Sequence, residues 1–394
     1  MTFWPLFVLA SLCDPAPALE GKRLFEQGRF ALAEQHFRRA VAQPCGPAQR
    51  VADQINLAAT LRERNLFAEA KQQLPEASTV ANLPVEIQIT FWNCLALLEE
   101  HTGRATQAEA AYRRAQALLT PATPARLAMQ AWTNFARLRL KQGLLREAEL
   151  ALEQPNWQHD RPSAYYLNLA ELRRMQGRPR DAERILQAMP AGNLPAQIRG
   201  AVANNLASLA ARRGAHREAE QRWHEAIAAF REAYGPAHPT VGRALNNLAA
   251  HLVARKRHAF AESLYREAIA MNPDPRLLNN LAALLHDRAR HAEAEALYQQ
   301  ALAQFERPSR DAIQLHGNYA IFLSQQRRPD EASAQFQQLL QLLPLALPAD
   351  EPVVARYLFD YEQLLRQKRE AAEAERISVI AMRYRVRSTL RSAN

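Results

Sequence analysis

The stretch Gly28-Arg29-Phe30-Ala31-Leu32-Ala33-Glu34-Gln35-His36-Phe37-Arg38-Arg39-Ala40 carries the spacing that decides the fold. Its glycine is followed by an aromatic residue at +2 and +9 and by alanine at +5 and +12. On a helix, the small residue at +5 lets a partner helix approach closely, and the aromatic ring one turn later fills the gap against the next element. The stretch therefore predicts a helix that packs against helices on two sides.

The same template recurs through the chain, which is the signature of a repeat protein. In each copy a small residue lies five positions after a glycine or its equivalent, and successive copies are 33 to 42 residues apart. The ten small positions are Ala33, Ala70, Ala108, Ala148, Ala182, Ala219, Ala261, Ala294, Ala332 and Ala374.

Each copy also has an apolar helical segment upstream of the glycine, such as Asn204–Leu209 and Asn279–Leu284. The repeating unit is therefore a helix, a turn and a second helix. Glycine suits the positive φ that ends the first helix, and Pro179 and Pro329 suit the start of the second. Two copies depart from the template, because Leu74-Pro75 interrupts the second copy and Ser378 replaces the aromatic residue of the tenth. We expect those two units to be irregular or to act as caps.

This pattern resembles the tetratricopeptide repeat family over about residues 20 to 385. The segments Tyr234–Val241, Leu245–Ala249 and Ala261–Ala268 resemble the kinesin light chain subtype of that repeat. The resemblance implies an all-α fold, a right-handed α-solenoid of ten helix-turn-helix units and about twenty helices. We expect residues 19–385 to form one continuous solenoid with no internal boundary, followed by a basic tail at 386–394.

The first residues read differently from the repeats. An apolar run, Phe3–Leu12, precedes Ala16-Pro17-Ala18, a small-residue pattern typical of signal peptide cleavage. We predict that residues 1–18 are a cleaved signal peptide, which implies a periplasmic or secreted protein. The alternative is a hydrophobic capping segment in a cytoplasmic protein. The run is too short to span a bilayer.

Composition excludes several classes of protein. With 394 residues, 48% hydrophobic and 23% charged, the chain is neither disordered nor fibrous. Its net charge is +10, and 45 of its 50 basic residues are arginine. Richness in arginine and alanine indicates a bacterial source of high GC content. The spacing of Cys13, Cys45 and Cys94 predicts neither a disulfide framework nor a zinc site, so packing alone is expected to hold the fold.

Sequence motifs of catalysis are missing. The chain has no Gly-rich phosphate loop, no Gly-x-Ser-x-Gly elbow and no catalytic cysteine context. His224-Glu225 has no second histidine at metalloprotease spacing, and His286 and His291 do not share a helix face. We therefore predict that the protein is not an enzyme and uses no cofactor or metal.

In proteins that this chain resembles, the first helix of each unit lines a concave groove where ligands bind. Nine residues before each glycine equivalent, seven of the ten copies have asparagine. An amide both donates and accepts hydrogen bonds, so a row of them suits the backbone of an extended peptide. The alternative is that these amides bridge adjacent helices. The seven residues, with the three that precede some of them as doublets, are Asn56, Asn134, Asn168, Asn204, Asn205, Asn246, Asn247, Asn279, Asn280 and Asn318.

The predicted groove positions carry ten cations and six anions. That surplus favours an acidic or carboxylate-ended ligand, since arginine binds carboxylates through a planar fork. Arg137, Arg243 and Arg276 are the candidate arginines, although a solvated surface explains the charges as well. We therefore predict a scaffold that binds an acidic, extended segment of a protein partner. The oligomeric state stays open.

Nucleic-acid or anionic-surface binding is the alternative function. Its basis is the overall positive charge and the tail cluster of Arg383, Arg385, Arg387 and Arg391. A basic last turn that complements a helix C-terminus explains the cluster without a ligand, and we favour that interpretation. A nucleic-acid partner is therefore not expected.

Overall fold

The computed structural model describes residues 14–154, 161–189, 194–305, 311–346 and 350–392. Within these ranges all regular elements are helices, as the repeat pattern predicts. The chain divides into two compact units, Met1–Val241 and Gly242–Asn394, called unit 1 and unit 2 below.

Among its described residues, unit 1 has six helix pairs and one single-turn helix. The helices are α1 (Ala16–Glu26), α2 (Phe30–Val41), α3 (Pro47–Glu63), α4 (Phe67–Gln73), α5 (Ala77–Val80), α6 (Val85–His101), α7 (Ala105–Ala117), α8 (Ala125–Lys141), α9 (Leu145–Leu152), α10 (Ser163–Met175), α11 (Pro179–Gln187), α12 (Ala196–Arg212) and α13 (His216–Tyr234).

Unit 2 contains four further pairs and a short 3-10 helix at Leu343–Leu345. Its first helix begins before the division between the units and shows the same repeat pattern, and the expectation of one solenoid without a boundary stays a prediction. The helices are α14 (Pro239–Ala254), α15 (His258–Met271), α16 (Pro275–Asp287), α17 (His291–Leu302), α18 (Asp311–Gln325), α19 (Pro329–Leu342), α20 (Glu351–Gln367) and α21 (Ala371–Ser392).

The turn inside each pair has the same backbone signature. In all ten pairs the residue five positions before the small residue has a positive φ. Glycine occupies this position in five pairs, as at Gly28 (φ 77), and a larger residue occupies it in the other five, as at Arg327 (φ 58) and Arg369 (φ 66). A left-handed residue after the last helical turn ends a helix in a defined direction. The turn geometry is thus kept even where glycine is lost.

The small residue of each copy is fully or almost fully buried in its second helix. All ten alanines are 0 or 1% exposed. The aromatic residue four positions later is also buried where it is present, as for Phe37, Tyr112, Tyr298 and Phe336. The predicted packing of helix against helix is confirmed.

The second pair is irregular, as its sequence predicts. Helix α4 ends after seven residues, and Leu74 is extended (φ −72, ψ 134). The residue before a proline is biased away from helical backbone, which explains this stop. The one-turn α5 then fills the space before the third pair.

In unit 1 the start of α2 contacts the loop that follows α13. The ring of Phe30 stacks on Tyr234 with centroids 5.3 Å apart, and Tyr234 stacks on His238 at 4.4 Å. Nε2 of His238 donates to the carbonyl oxygen of Glu63 at 2.9 Å, while its Nδ1 accepts from the Thr240 N–H at 3.1 Å. The first pair thereby contacts the end of the sixth, and unit 1 closes on itself.

The expectations about the cysteines, the N-terminal apolar run and the C-terminal tail have different outcomes. Cys45 is disulfide-bonded, so the expectation that packing alone holds the fold is wrong at this residue. Distance along a sequence does not show which thiols the fold brings together. The apolar run Phe3–Leu12 lies outside the described residues, so the signal peptide stays a prediction. Helix α21 continues to Ser392, and the division into a solenoid and a basic tail at 386–394 stays a prediction.

A buried carboxyl group on α3 gives a pH-dependent prediction. Asp53 is 1% exposed, and its Oδ1 accepts from Nε2 of Gln49 at 2.9 Å. Burial raises the pKa of Asp53 to about 6, against the opposing effect of that hydrogen bond. Because the folded state binds its proton more tightly than the unfolded state, the stability from this group is lost as pH rises from about 4 to 6.

We expect Asp53→Asn to remove this loss. The difference in unfolding free energy between the variant and the wild type should shift by about 2 to 3 kcal/mol in favour of the variant between pH 4 and pH 7. Urea unfolding at a series of pH values measures it. Parallel pH profiles for the two proteins would show that Asp53 is not the titrating group.

Candidate functional site

Within each unit, consecutive first helices contact one another. The contacts join α3 to α6, α6 to α8 and α8 to α10 in unit 1, and α16 to α18 and α18 to α20 in unit 2. No comparable contact joins two second helices in the described ranges. Because first helices lie closer together than second helices, each row curves with its first helices on the inner side. The predicted binding positions therefore lie on helices that form the inner face.

Three of the predicted binding asparagines are buried in unit 1. Asn56, Asn134 and Asn168 are 1, 0 and 8% exposed. Nδ2 of Asn168 donates to the carbonyl oxygen of Thr133 at 2.8 Å, which joins α10 to α8. These three side chains do not form an open surface in this structure. Asn168 thus bridges two adjacent helices, as in the alternative interpretation of these amides.

The next two asparagines, Asn204 and Asn205 on α12, are half-buried. The carbonyl oxygen of Asn204 accepts from the Ser208 hydroxyl at 3.0 Å, within the same helix. Both side chains reach solvent more than those of the preceding units. They are the part of unit 1 where the predicted amide surface is open.

Unit 2 brings four of the predicted asparagines into one hydrogen-bonded chain, called the amide row below. Nδ2 of Asn280 donates to Oδ1 of Asn246 at 2.8 Å, and Nδ2 of Asn318 donates to Oδ1 of Asn279 at 3.1 Å. A weaker contact of 3.5 Å joins Nδ2 of Asn279 to Oδ1 of Asn280. The Tyr357 hydroxyl donates to Oδ1 of Asn318 at 2.6 Å and ends the chain.

The amide row crosses the first helices α14, α16, α18 and α20. An asparagine side chain has two N–H donors and two acceptor lone pairs. Asn280 and Asn318 each use one donor and one acceptor within the row, which leaves one of each for another group. Asn246, Asn247, Asn280 and Asn318 are half-buried, whereas Asn279 is buried. The row therefore presents oriented amides at a partly open surface.

The arginine predicted on α8 is held by an internal charge cluster. Nη2 of Arg137 donates to Oε2 of Glu100 at 2.8 Å, and the Tyr112 hydroxyl lies 3.1 Å from the same oxygen. Nζ of Lys141 lies 2.7 Å from Oε1 of Glu100. Burial alone would raise the pKa of Glu100, but the charges of Arg137 and Lys141 outweigh it and hold that pKa at about 2. Arg137 therefore neutralises a buried carboxylate of its own chain.

The other two predicted arginines lie in unit 2 and are exposed. Nη2 of Arg276 donates to Oδ2 of Asp274 at 2.9 Å, and the Asp274 side chain also accepts from the Arg276 backbone N–H as the cap of α16. Arg276 and Asn280 are four residues apart on α16, and Arg243 and Asn246 are three apart on α14. Residues at these spacings share a helix face, so both arginines border the amide row.

The sequence interpretation missed two residues that matter here. Tyr357 orients the last amide of the row, and Glu100 determines what Arg137 can bind. Glu100 is one of the six anions at the predicted groove positions, but its partner depends on how α6 packs against α8. Tyr357 had no signal in the sequence, since its contact joins positions 39 residues apart.

Groups that would suit other chemistry are inert in this arrangement. Burial raises the pKa of the Cys94 thiol to about 12, so the thiolate is strongly disfavoured. Burial and the charge of Arg62 lower the pKa of His101 to about 4. In the described ranges no three acidic, histidine or cysteine side chains lie close enough together to hold a metal ion. Nor does any helix described there have the length and apolar character needed to cross a bilayer.

The charge cluster predicts a destabilised variant. Glu100→Gln leaves Arg137 in a buried site without its counter charge, so we expect the unfolding free energy at pH 7 to fall by about 3 kcal/mol. The depressed pKa of Glu100 means that this advantage of the wild type is lost as pH falls from about 5 towards 2. Urea unfolding at pH 7 and pH 3 tests both statements. Equal stability at pH 7 would contradict the role given to Glu100.

Solved structures share this architecture at low sequence identity. The human IFIT1 dimer with PPP-AAAA is 15% identical, has a TM-score of 0.52, and is matched over 99% of this chain and 97% of that one. The Rap protein complexed with Competence and Sporulation Factor is 12% identical, with a TM-score of 0.54 over 95% and 98%. The apo quorum sensor NprR from B. thuringiensis is 10% identical, with a TM-score of 0.52 over 83% and 98%.

Identities this low establish a common fold and nothing more. No curated protein matches the sequence significantly. Residues 199–274 and 275–344, however, match the model of the tetratricopeptide repeat family. The matched region includes most of the amide row, and the same turn and alanine signature extends to all ten pairs. The chain is a tetratricopeptide repeat protein.

Proposed function

We propose that this protein is a non-catalytic scaffold that binds an extended peptide segment of a partner protein along the inner face of unit 2. The observation that carries the proposal is the amide row, in which hydrogen bonds fix the orientation of half-buried asparagines on three helices, with Tyr357 of a fourth helix at its end. Groups that are already oriented lose little entropy when a ligand binds. The donor and acceptor left on each amide match the N–H and C=O of a peptide backbone.

The same arrangement supports a preference for acidic peptides. Arg243 and Arg276 border the amide row and are exposed. Arg276 keeps donors beyond those that Asp274 uses, because a guanidinium has five N–H groups. Arg137 does not join this proposal, since Glu100 holds it. An acidic side chain of the peptide would meet Arg243 and Arg276 one helical turn from the amides.

The proposal differs from the sequence interpretation in where the peptide lies. Asn56, Asn134 and Asn168 are excluded from the surface by their burial. The proposed contact residues are Asn246, Asn247, Asn280 and Asn318 with the two arginines, all in unit 2. Structures of this fold hold different ligands, since the Rap protein holds Competence and Sporulation Factor and IFIT1 holds PPP-AAAA. The preference for an acidic peptide therefore rests on the asparagines and arginines of this chain.

The test selects peptides from a random displayed library against the wild-type protein and measures their affinity by fluorescence anisotropy. We expect extended sequences enriched in aspartate and glutamate. The triple variant Asn246→Ala, Asn280→Ala, Asn318→Ala should weaken binding at least tenfold, because each lost backbone contact is worth about 1 kcal/mol. Circular dichroism establishes that the variant is folded.

A matched control removes three amides from second helices of the same unit. Gln300, Gln338 and Gln341 are exposed on α17 and α19, and their triple alanine variant should bind like the wild type. Loss of affinity in both variants, or in neither, would contradict the proposal.

Nucleic-acid binding through the exposed arginines of α21 is the rival function. Single-stranded RNA of random sequence distinguishes it in the same assay. Micromolar RNA affinity that falls steeply with added salt, with no selected peptide, would favour the rival over the peptide scaffold.

A further inference from the structure

The last helix pair of unit 2 has an open groove between α20 and α21. The groove encloses about 570 Å³ and lies on helices that do not contribute to the amide row except through Tyr357. Its lining residues are Pro352, Ala355, Arg356, Phe359, Glu362, Ser378, Ala381, Met382 and Arg385.

Large apolar side chains are exposed around this groove. Phe359 on α20 is 55% exposed and Met382 on α21 is 62% exposed. Val379 and Val386 are also exposed, and with Met382 they follow a spacing of three and four residues that puts them on one face of α21. The other exposed large apolar residues in the described ranges are scattered over the remaining helices. A cluster of this kind marks an interaction surface.

The contact between α18 and α20 shows which kind of element packs on the equivalent face of the preceding pair. The Tyr357 ring on α20 packs on Gly317 of α18, where an added Cβ would lie 2.6 Å from ring atoms. Gly317 is ten residues before the positive-φ residue of its pair, Arg327, and Phe359 is ten residues before the corresponding Arg369. Phe359 on α20 is therefore the equivalent of Gly317 on α18, the position against which the first helix of the next pair packs.

The two equivalent positions, Gly317 and Phe359, differ in side-chain size. In the preceding pair the receiving helix has glycine and the incoming helix has an aromatic ring. On α20 the receiving residue is itself an exposed aromatic ring, so a helix that packs there must offer a small residue. A further repeat of the usual pattern, with an aromatic residue at that point, would collide with Phe359.

Arginine outnumbers acidic residues in the lining of the groove. Arg383, Arg385 and Arg387 are exposed on α21, and Arg385 lines the groove. Arg356 adds a cation on the α20 side of the groove. The groove's own carboxylate, on Glu362, accepts from Arg366 at 2.8 Å and is neutralised by it. A partner with acidic flanks complements this rim, whereas a second copy would set arginines against arginines.

We infer that the groove between α20 and α21 binds one amphipathic helix of a partner protein, with a small residue against Phe359, apolar residues against Met382 and acidic residues towards the arginines. A single helix suits the groove because the preceding pair receives α20 on the equivalent face. The surface is separate from the amide row, so one can be lost without the other.

The test uses the full chain and a synthetic 20-residue helical peptide. The peptide has an alanine and leucine stripe flanked by glutamates and carries a fluorescent label. We expect micromolar binding by anisotropy, and at least a tenfold loss for Phe359→Glu and for Met382→Glu. Phe260→Glu is the matched control, since Phe260 is 61% exposed on α15 and lies outside the groove. It should bind like the wild type.

Two further probes make the result decisive. A peptide with serine in place of leucine but the same glutamates should bind at least tenfold more weakly. Equal binding of the two peptides would overturn the inference, because charge attraction alone would then explain the affinity. Phosphatidylserine vesicles and single-stranded RNA test the other polyanions. The inference would also be overturned if the vesicles or the RNA bind, the groove variants weaken that binding, and the helical peptide does not bind. Unfolding curves that match the wild type establish that the variants are folded.

Discussion

The structure depends on the close approach of two helices at an alanine that has no exposed surface. In every pair this alanine follows a left-handed turn residue by five positions, and all ten are buried. A larger side chain there would push the helices apart, and a different turn would point the second helix elsewhere. Because most contacts between pairs join neighbours, the row is stable as a sum of such contacts and not through one central core.

This packing decides where polar residues lie. First helices lie closer together than second helices, so side chains on the inner face meet those of neighbouring pairs. In unit 1 the contact between the start of α2 and the loop after α13 closes the row, and the inner face there contains Glu100, Arg137 and Lys141 in mutual contact. In unit 2 the equivalent face contains amides that bond to one another. The position nine residues before the turn residue is buried at Asn134 and Asn168 in unit 1 and half-buried at Asn280 and Asn318 in unit 2.

The two proposed surfaces follow from different features of the repeat. The amide row arises because one polar position recurs on neighbouring first helices. The groove between α20 and α21 arises because the last described pair keeps the face that earlier pairs use to receive the next helix. Phe359 and the arginines of α21 change the chemistry of that face, so it fits a different helix from those inside the row.

The sequence by itself determined the all-α fold, the ten pairs, the buried alanines and the irregular second pair, because each depends on spacing within about 35 residues. It also identified the asparagines of the row. Only the tertiary structure decided which of them are open, that Glu100 holds Arg137 and that Tyr357 orients Asn318. These facts depend on contacts between helices from different repeats. A periodic sequence gives every repeat the same local pattern, and only the packing of one repeat on another makes equivalent positions different.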